Sequence, residues 1–377
     1  MKRTISLILS AVMLLSLAAC GKTTLSDEQK ETLRQETQTA IDQSLFKGAV
    51  YATVGGEEVL SIGSGKANKD EDIDNSVDVA YQYASVSKQF TAAAIMLLYE
   101  QGKLDLRDTI DKYFPDYKFG KDITIHELLS MRSGLIDLFN NYDVRDDGEP
   151  VMISDTDIEF DVSPDKSSKE NRAAVEEWIF SQPLRFEPDS DFEYCSSGYM
   201  LLGEIVEQAS GETFGDFVQK NIFDPLGMTT AGFSDSYDKE NVIVANAYHR
   251  GEGMDWTECP GARFGSGDLI CSPRDMVKWA DALMKGKVVS KDSWKLMTTV
   301  YSTEDPTMPY GYGLLISTDA GRTIIRHTGH FPSYYSILVM VPEESYICTA
   351  ASNHSNETTE GLCMQITRSF GEIKYGK

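Results

Sequence analysis

A serine attacks a carbonyl only when a nearby base takes its proton. Ser-x-x-Lys on a helix supplies such a base, because residues three apart share a face. The spacing occurs four times in this 377-residue chain, at Ser44/Lys47, Ser85/Lys88, Ser163/Lys166 and Ser236/Lys239, so spacing alone selects none of them. The setting selects Ser85. A β-rich approach, Val79-Ala-Tyr-Gln-Tyr83, leads to a serine at the head of an apolar helix in which Phe90, Ala94, Leu97 and Leu98 recur at helical spacing. A helix N-terminus presents unpaired N–H groups and positive dipole, which favour the oxyanion formed on attack. Taken alone, Tyr194 reads as core packing and His327 as a strand histidine. His327 and His330 invite a metal, but residues three apart on a strand face opposite sides, so no chelate is expected. The G-x-S-x-G elbow of α/β-hydrolases is absent.

Several stretches, in order, carry a family resemblance. Ala84-Ser-Val-Ser-Lys-Gln-Phe-Thr-Ala-Ala92 resembles the nucleophile segment of class C β-lactamases and their related serine hydrolases, which include D-alanyl-D-alanine carboxypeptidases, D-amino-acid peptidases and esterases. Ile123 to Leu135 resembles the helix and turn that follow it. Phe192-Glu-Tyr-Cys-Ser-Ser-Gly-Tyr199 resembles the tyrosine motif, usually Y-x-N, and Gly265 to Asp275 a loop that precedes a helix near the site. Tyr310-Gly-Tyr-Gly-Leu314 resembles a strand entry, and His327-Thr-Gly329 the third motif, K-T-G or H-x-G.

The resemblance implies an α+β fold of β-lactamase/transpeptidase type, an antiparallel sheet flanked by helices with an inserted mainly helical domain. It implies Ser85 as acylated nucleophile, Lys88 as its activator and Tyr194 as proton relay, with either Lys88 or Tyr194 as the base. Ser196, His327, Thr328 and Gly329 would contact substrate, His327 lying beside a substrate carboxylate or the Tyr194 hydroxyl. The backbone N–H groups of Ser85 and His330 would form the oxyanion hole. No cofactor is required. Two departures bear on substrate: Ser196 replaces the usual asparagine, and His327 replaces lysine, which loses a charge unless the imidazole is held protonated. The implied function is acyl-enzyme hydrolysis of an ester, amide or lactam. A carboxypeptidase acting on cell-wall peptides and a penicillin-binding sensor without turnover are the alternatives.

These residues need elements to position them. Ser26 with Gln29 forms a capping-box start, with Leu33, Ile41 and Leu45 on one edge of the helix. Gly48–Val54 and Glu58–Ile62 read as a hairpin around Gly55-Gly56. Helical patterns follow at Thr124–Met131, Ala173–Phe180, Tyr199–Ala209, Phe214–Ile222 and Arg274–Met284. Strands return at Tyr312–Ser317, Thr323–Arg326, Tyr335–Val341 and Tyr346–Ala350, and a last helix at Thr358–Phe370. Residues 44–84 with 300–377 thus form one discontinuous domain, and 85–299 a mainly helical one.

Composition supports a folded body, with 41% hydrophobic and 25% charged residues. A net charge of −24 argues against nucleic acid as a partner; the resemblance implies a small-molecule or peptide substrate. Met1-Lys-Arg3 followed by the apolar run Ile5–Ala18 reads as an export signal over residues 1–19, ending in a lipobox-like Leu17-Ala-Ala-Cys20. Cys20 would then carry lipid and hold the protein on the membrane, with 20–43 as tether and start of the first helix. Of the five other cysteines, Cys259 and Cys271 make the only locally plausible bridge. The insertion 143–165 holds nine acids and one base. Asp155, Asp157, Glu159 and Asp161 alternate as in a calcium loop, but Phe160 and Lys166 occupy its glycine and glutamate positions, so a solvated acidic loop is expected.

Overall fold

Strands from the two ends of the sequence meet in one antiparallel sheet. The computed structural model describes residues 24–137, 142–144, 150–152, 161–234, 237, 241–249, 252–253, 260–355 and 358–376. Helix α1 (Asp27–Gln43) opens with the expected capping box: Ser26 Oγ accepts the Gln29 N–H at 3.2 Å, and Gln29 Oε1 accepts the Ser26 N–H at 2.9 Å. The hairpin β1 (Gly48–Val54) and β2 (Glu57–Ser64) follows. The central helices are α2 (Lys88–Glu100), α3 (Ile125–Leu129), α4 (Ser168–Ser181), α5 (Ser196–Ser210) and α6 (Pro273–Met284). The chain then returns to the sheet as β3 (Leu315–Asp319), β4 (Arg322–Phe331), β5 (Tyr334–Val341) and β6 (Tyr346–Ser352), and ends in α7 (Thr358–Tyr375).

The strand order is β3-β4-β5-β6-β1-β2, so the N-terminal hairpin completes a sheet begun by the C-terminal meander. Period-two alternation splits the interior into two layers. Val50, Ala52, Ile337 and Val339 face α1 and α7, where they meet Leu33, Ile41, Ile366 and Phe370. Ala49, Leu338, Met340 and Ile347 face the central helices. There Phe90 of α2 stacks on Trp279 of α6 at 4.1 Å, so the helix carrying the lysine is pinned by its own apolar side.

Three expectations change. The strand expected from Tyr312 begins at Leu315, because Gly313 takes a φ of +69°, which no extended strand accommodates. The strand expected at Thr323–Arg326 runs on to Phe331, since pairing with β5 continues to Phe331↔Tyr334. Helix Lys291–Met297, capped by Ser290, was not foreseen.

Cys195, Cys271, Cys348 and Cys363 are buried free thiols, while Cys259, the other half of the expected bridge, lies outside the described residues. So do the export signal and Cys20. Of the acidic insertion, Tyr142–Val144 pairs antiparallel with Pro150–Met152; residues 153–160, which hold most of the alternating acids, are outside the described set. No helix among the described residues is long and apolar enough to cross a membrane.

Candidate active site

Ser85, the expected nucleophile, sits on a turn rather than on the first turn of the helix. The short strand Tyr81–Gln82 pairs with Leu269–Cys271, after which the chain swings through Ala84 into a 3₁₀ turn, Ala84–Ser87, that feeds α2. Ala84 has a φ of +45°, a left-handed backbone that costs an alanine about 1 kcal/mol or more. Hydrogen bonds hold it there: Ser87 Oγ donates to Ala84 O at 2.5 Å and accepts the Leu269 N–H at 2.9 Å. Between Tyr83 and Phe90 every residue is buried except Ser85, which is partly exposed. The strained turn thus lifts one hydroxyl out of the core.

Lys88 lies fully buried beneath it. Its Nζ is 3.1 Å from Ser85 Oγ and 2.8 Å from the carbonyl oxygen of Ser266. A carbonyl only accepts, so the amine donates to Ser266; in the neutral amine the lone pair is left for the Ser85 hydroxyl. Burial lowers the Lys88 pKa to about 7, against the opposing pull of Asp137, Cys195 and Asp268 and with help from the Arg263 charge. Asp137, itself buried, is the strongest of the opposing groups.

Tyr194 ends the loop before α5, with its ring 5.0 Å from Lys88 Nζ. Its hydroxyl is buried near Ser85 and Ser196. Both would favour its ionised form, but it completes no hydrogen bond with either, and burial raises its pKa well above the ordinary tyrosine value. Of the two base candidates, the lysine is therefore the one that loses its proton near neutrality.

β4 forms the facing wall. β3 pairs with it only as far as Arg326, so that ladder stops before His327. Gly329 lies against the nucleophile segment: a Cβ there would stand 2.0 Å from Tyr83 O. Strand alternation turns His327 and Gly329 inward. It turns Thr328 and His330 outward, the latter exposed and stacked on Tyr335 at 4.5 Å, so these two residues offer the cleft backbone only. His327 is buried beside the Tyr194 ring at 6.2 Å, but its nitrogens have other partners: Nδ1 is 2.7 Å from Thr328 O and Nε2 is 3.0 Å from Tyr310 Oη. The expected place beside a substrate carboxylate or the Tyr194 hydroxyl is thus taken up by these bonds.

Ser85, Lys88, Tyr194, Ser196, His327 and Gly329 are brought together. Tyr310 and Asp137 were missed. Tyr310 stood in plain view within the Tyr310–Leu314 motif, read only as a strand entry, and Asp137 lies two residues beyond the Ser133-Gly-Leu135 turn.

The sequence matches the family model described as Beta-lactamase over residues 30–362. A putative penicillin-binding protein of Bacillus subtilis is 28% identical over 296 residues, 78% of this chain and 68% of that protein. Penicillin-binding protein 4* of the same organism is 25% identical, covering 87% of this chain and 74% of its own. Among solved structures, D-amino acid amidase from Ochrobactrum anthropi complexed with D-phenylalanine superposes with a TM-score of 0.77 at 23% identity, over 93% of this chain and 100% of that one. It shares the fold. The penicillin-binding protein from Bacillus halodurans does so at a TM-score of 0.72 and 24% identity, over 88% and 98%.

Proposed function

The chain belongs to the beta-lactamase family, and from that premise we propose that it is a serine hydrolase that cleaves an ester, amide or lactam bond through an acyl-enzyme on Ser85. One observation carries the reading: a buried lysine amine with a pKa of about 7 lies 3.1 Å from the only partly exposed hydroxyl of its segment. Neutral Lys88 takes the Ser85 proton as Oγ adds to the carbonyl carbon. The resulting oxyanion is received by the backbone N–H groups of Ser85 and His330. As the intermediate collapses, the proton passes from Lys88 to the leaving group, with the Tyr194 hydroxyl as relay, and the acyl-enzyme remains. A water molecule then gives up its proton along the same route and releases the acid. Such proton transfers contribute about 10²- to 10⁴-fold each.

Penicillin-binding relatives and the shared fold with a D-amino acid amidase favour acyl transfer at an amide-like carbonyl. They also favour a site of action outside the cytoplasm, in keeping with the export signal read at residues 1–19. The test is labelling by a fluorophosphonate probe. Ser85→Ala, which removes one oxygen, abolishes labelling while circular dichroism stays that of the parent. Labelling that survives this change and disappears at Ser44, Ser163 or Ser236 overturns the assignment.

A further inference from the structure

The two N–H groups that would receive the oxyanion come from segments far apart in the chain, Ser85 on the nucleophile turn and His330 on β4. Their spacing depends on what ties those segments together. One tie fixes the approach to both: Ser336 Oγ on β5 donates to Tyr83 O at 2.8 Å, the carbonyl against which Gly329 lies. Next to the two donors the tie is made by side chains. Ala84, which precedes Ser85, and Phe331, which follows His330, form with Ala247 and Tyr334 a small buried cluster separate from the two main layers of the core.

Arg263 spans the edge of this cluster. It is 7% exposed, and its guanidinium reaches three segments. One nitrogen, Nη1, donates to Gly267 O at 2.9 Å within its own loop, and Nη2 donates at 2.8 Å to Gln82 Oε1, on the strand that leads into the nucleophile turn. The guanidinium carbon lies over the Phe331 ring, 3.4 Å from its centroid. The base of the side chain is itself fixed, because the Ser266 and Gly267 N–H groups donate to Arg263 O at 3.1 and 2.9 Å, and Thr91 Oγ1 donates to Gly265 O at 2.5 Å. What the side chain adds is a link between the strand before Ser85 and the residue after His330. A planar guanidinium can stack on a ring and bond two oxygens at once; a lysine has the charge but neither the plane nor the fork.

We infer that Arg263 is a positioning residue for the oxyanion hole, its guanidinium bracing the Ser85 and His330 segments at the spacing a tetrahedral oxyanion requires. This rests on the serine-hydrolase reading above and adds to it a residue that acts through two others. Arg263 also bears on the charge of Lys88, whose pKa it lowers together with burial and against Asp137, Cys195 and Asp268. Charge and bracing are separable, since Arg263→Lys keeps the first and loses the second.

The test uses the full chain, p-nitrophenyl butyrate as substrate, and phenylboronic acid, which adds to a serine oxygen as a mimic of the tetrahedral intermediate. Fluorophosphonate labelling at Ser85 is read first, to its endpoint, and counts the competent sites. Its absence in the parent protein refutes the serine-hydrolase reading, whereas the variants judge this one. Per labelled site, Arg263→Lys is expected to lower kcat about tenfold, short of the roughly 10²- to 10³-fold for losing a donor outright, with KM changed by less than about twofold. The inhibition constant of phenylboronic acid rises by a similar factor, and the acid limb of the pH–rate profile stays in place. Phe331→Leu, which removes the ring from under the guanidinium, reproduces the loss, and the double variant loses little more than either single one. If Arg263→Lys yields no labelled sites, Phe331→Leu decides by the same kcat and boronate readouts. Unchanged kcat and boronate binding overturn the inference. So does a limb that shifts with full activity recovered at high pH, which assigns Arg263 to the Lys88 charge alone, and so does additivity of the two substitutions, which gives each a separate structural effect.

Discussion

At the scale of single residues, the proposed mechanism makes the reactivity of Ser85 depend on one proton of Lys88. Burial brings that proton's loss down to about pH 7, so the neutral, working amine becomes the majority form as pH rises through that value. The rate of acylation is therefore expected to rise along an acid limb centred near pH 7. Lys88→Met removes the base and lowers kcat/KM by about 10²-fold or more. Asp137 acts in the opposite sense to burial, since its negative charge favours the ammonium. Asp137→Asn is expected to let Lys88 deprotonate more easily and to move the acid limb toward lower pH; a pH–rate profile of the two proteins checks it. A limb that moves up, or stays fixed, shows that the titrating group is not Lys88. This pair illustrates what sequence reading can reach. Ser85 and Lys88 are three residues apart on one turn, so their contact is local and legible. Asp137 is 49 positions from Lys88 and acts only because the turn after α3 folds back under the nucleophile.

At the scale of elements, the cleft depends on β4 lying flush against the segment that carries Ser85. Gly329 permits this, because a methyl group would meet Tyr83 O at 2.0 Å and Ser336 Oγ at 2.4 Å, and the first of these is backbone that cannot swing aside. Gly329→Ala is expected to push β4 off the nucleophile turn. The cost is about 1–3 kcal/mol of stability, read from a denaturant midpoint, with a larger fall in kcat than a surface substitution gives. The helices and the hairpin were legible because caps and periodicity are local signals, as at Ser26 with Gln29 and at the Gly55-Gly56 turn. The far half of β4 was not. His327-Thr-Gly-His330 has little strand character of its own, and its conformation is set by β5 alongside it. Tyr310 escaped for a related reason: its bond to His327 spans 17 residues and exists only after the loop before β3 closes over the helices.

At the scale of the whole molecule, the two layers of the sheet have different neighbours. α1 and α7 cover one face, while the nucleophile turn and its supporting helices lie on the other. An anchor on Cys20 would enter the body at the start of α1, six residues before Ser26, within at most about 20 Å of extended chain. The membrane would then adjoin the terminal-helix layer and leave the cleft turned away from the lipid. A net charge of −24, which would become −26 with Lys2 and Arg3 removed, disfavours binding to anionic headgroups. Attachment would rest on the lipid alone, and two or more acyl chains suffice for a stable hold. Cys20→Ser is therefore expected to move the protein from the membrane fraction of its native host to the soluble exported fraction. Its activity on small esters should remain unchanged, because the described residues that form the cleft all lie beyond residue 80 of the chain. Equal membrane recovery of the variant would show that another part of the chain, or a partner, holds it there.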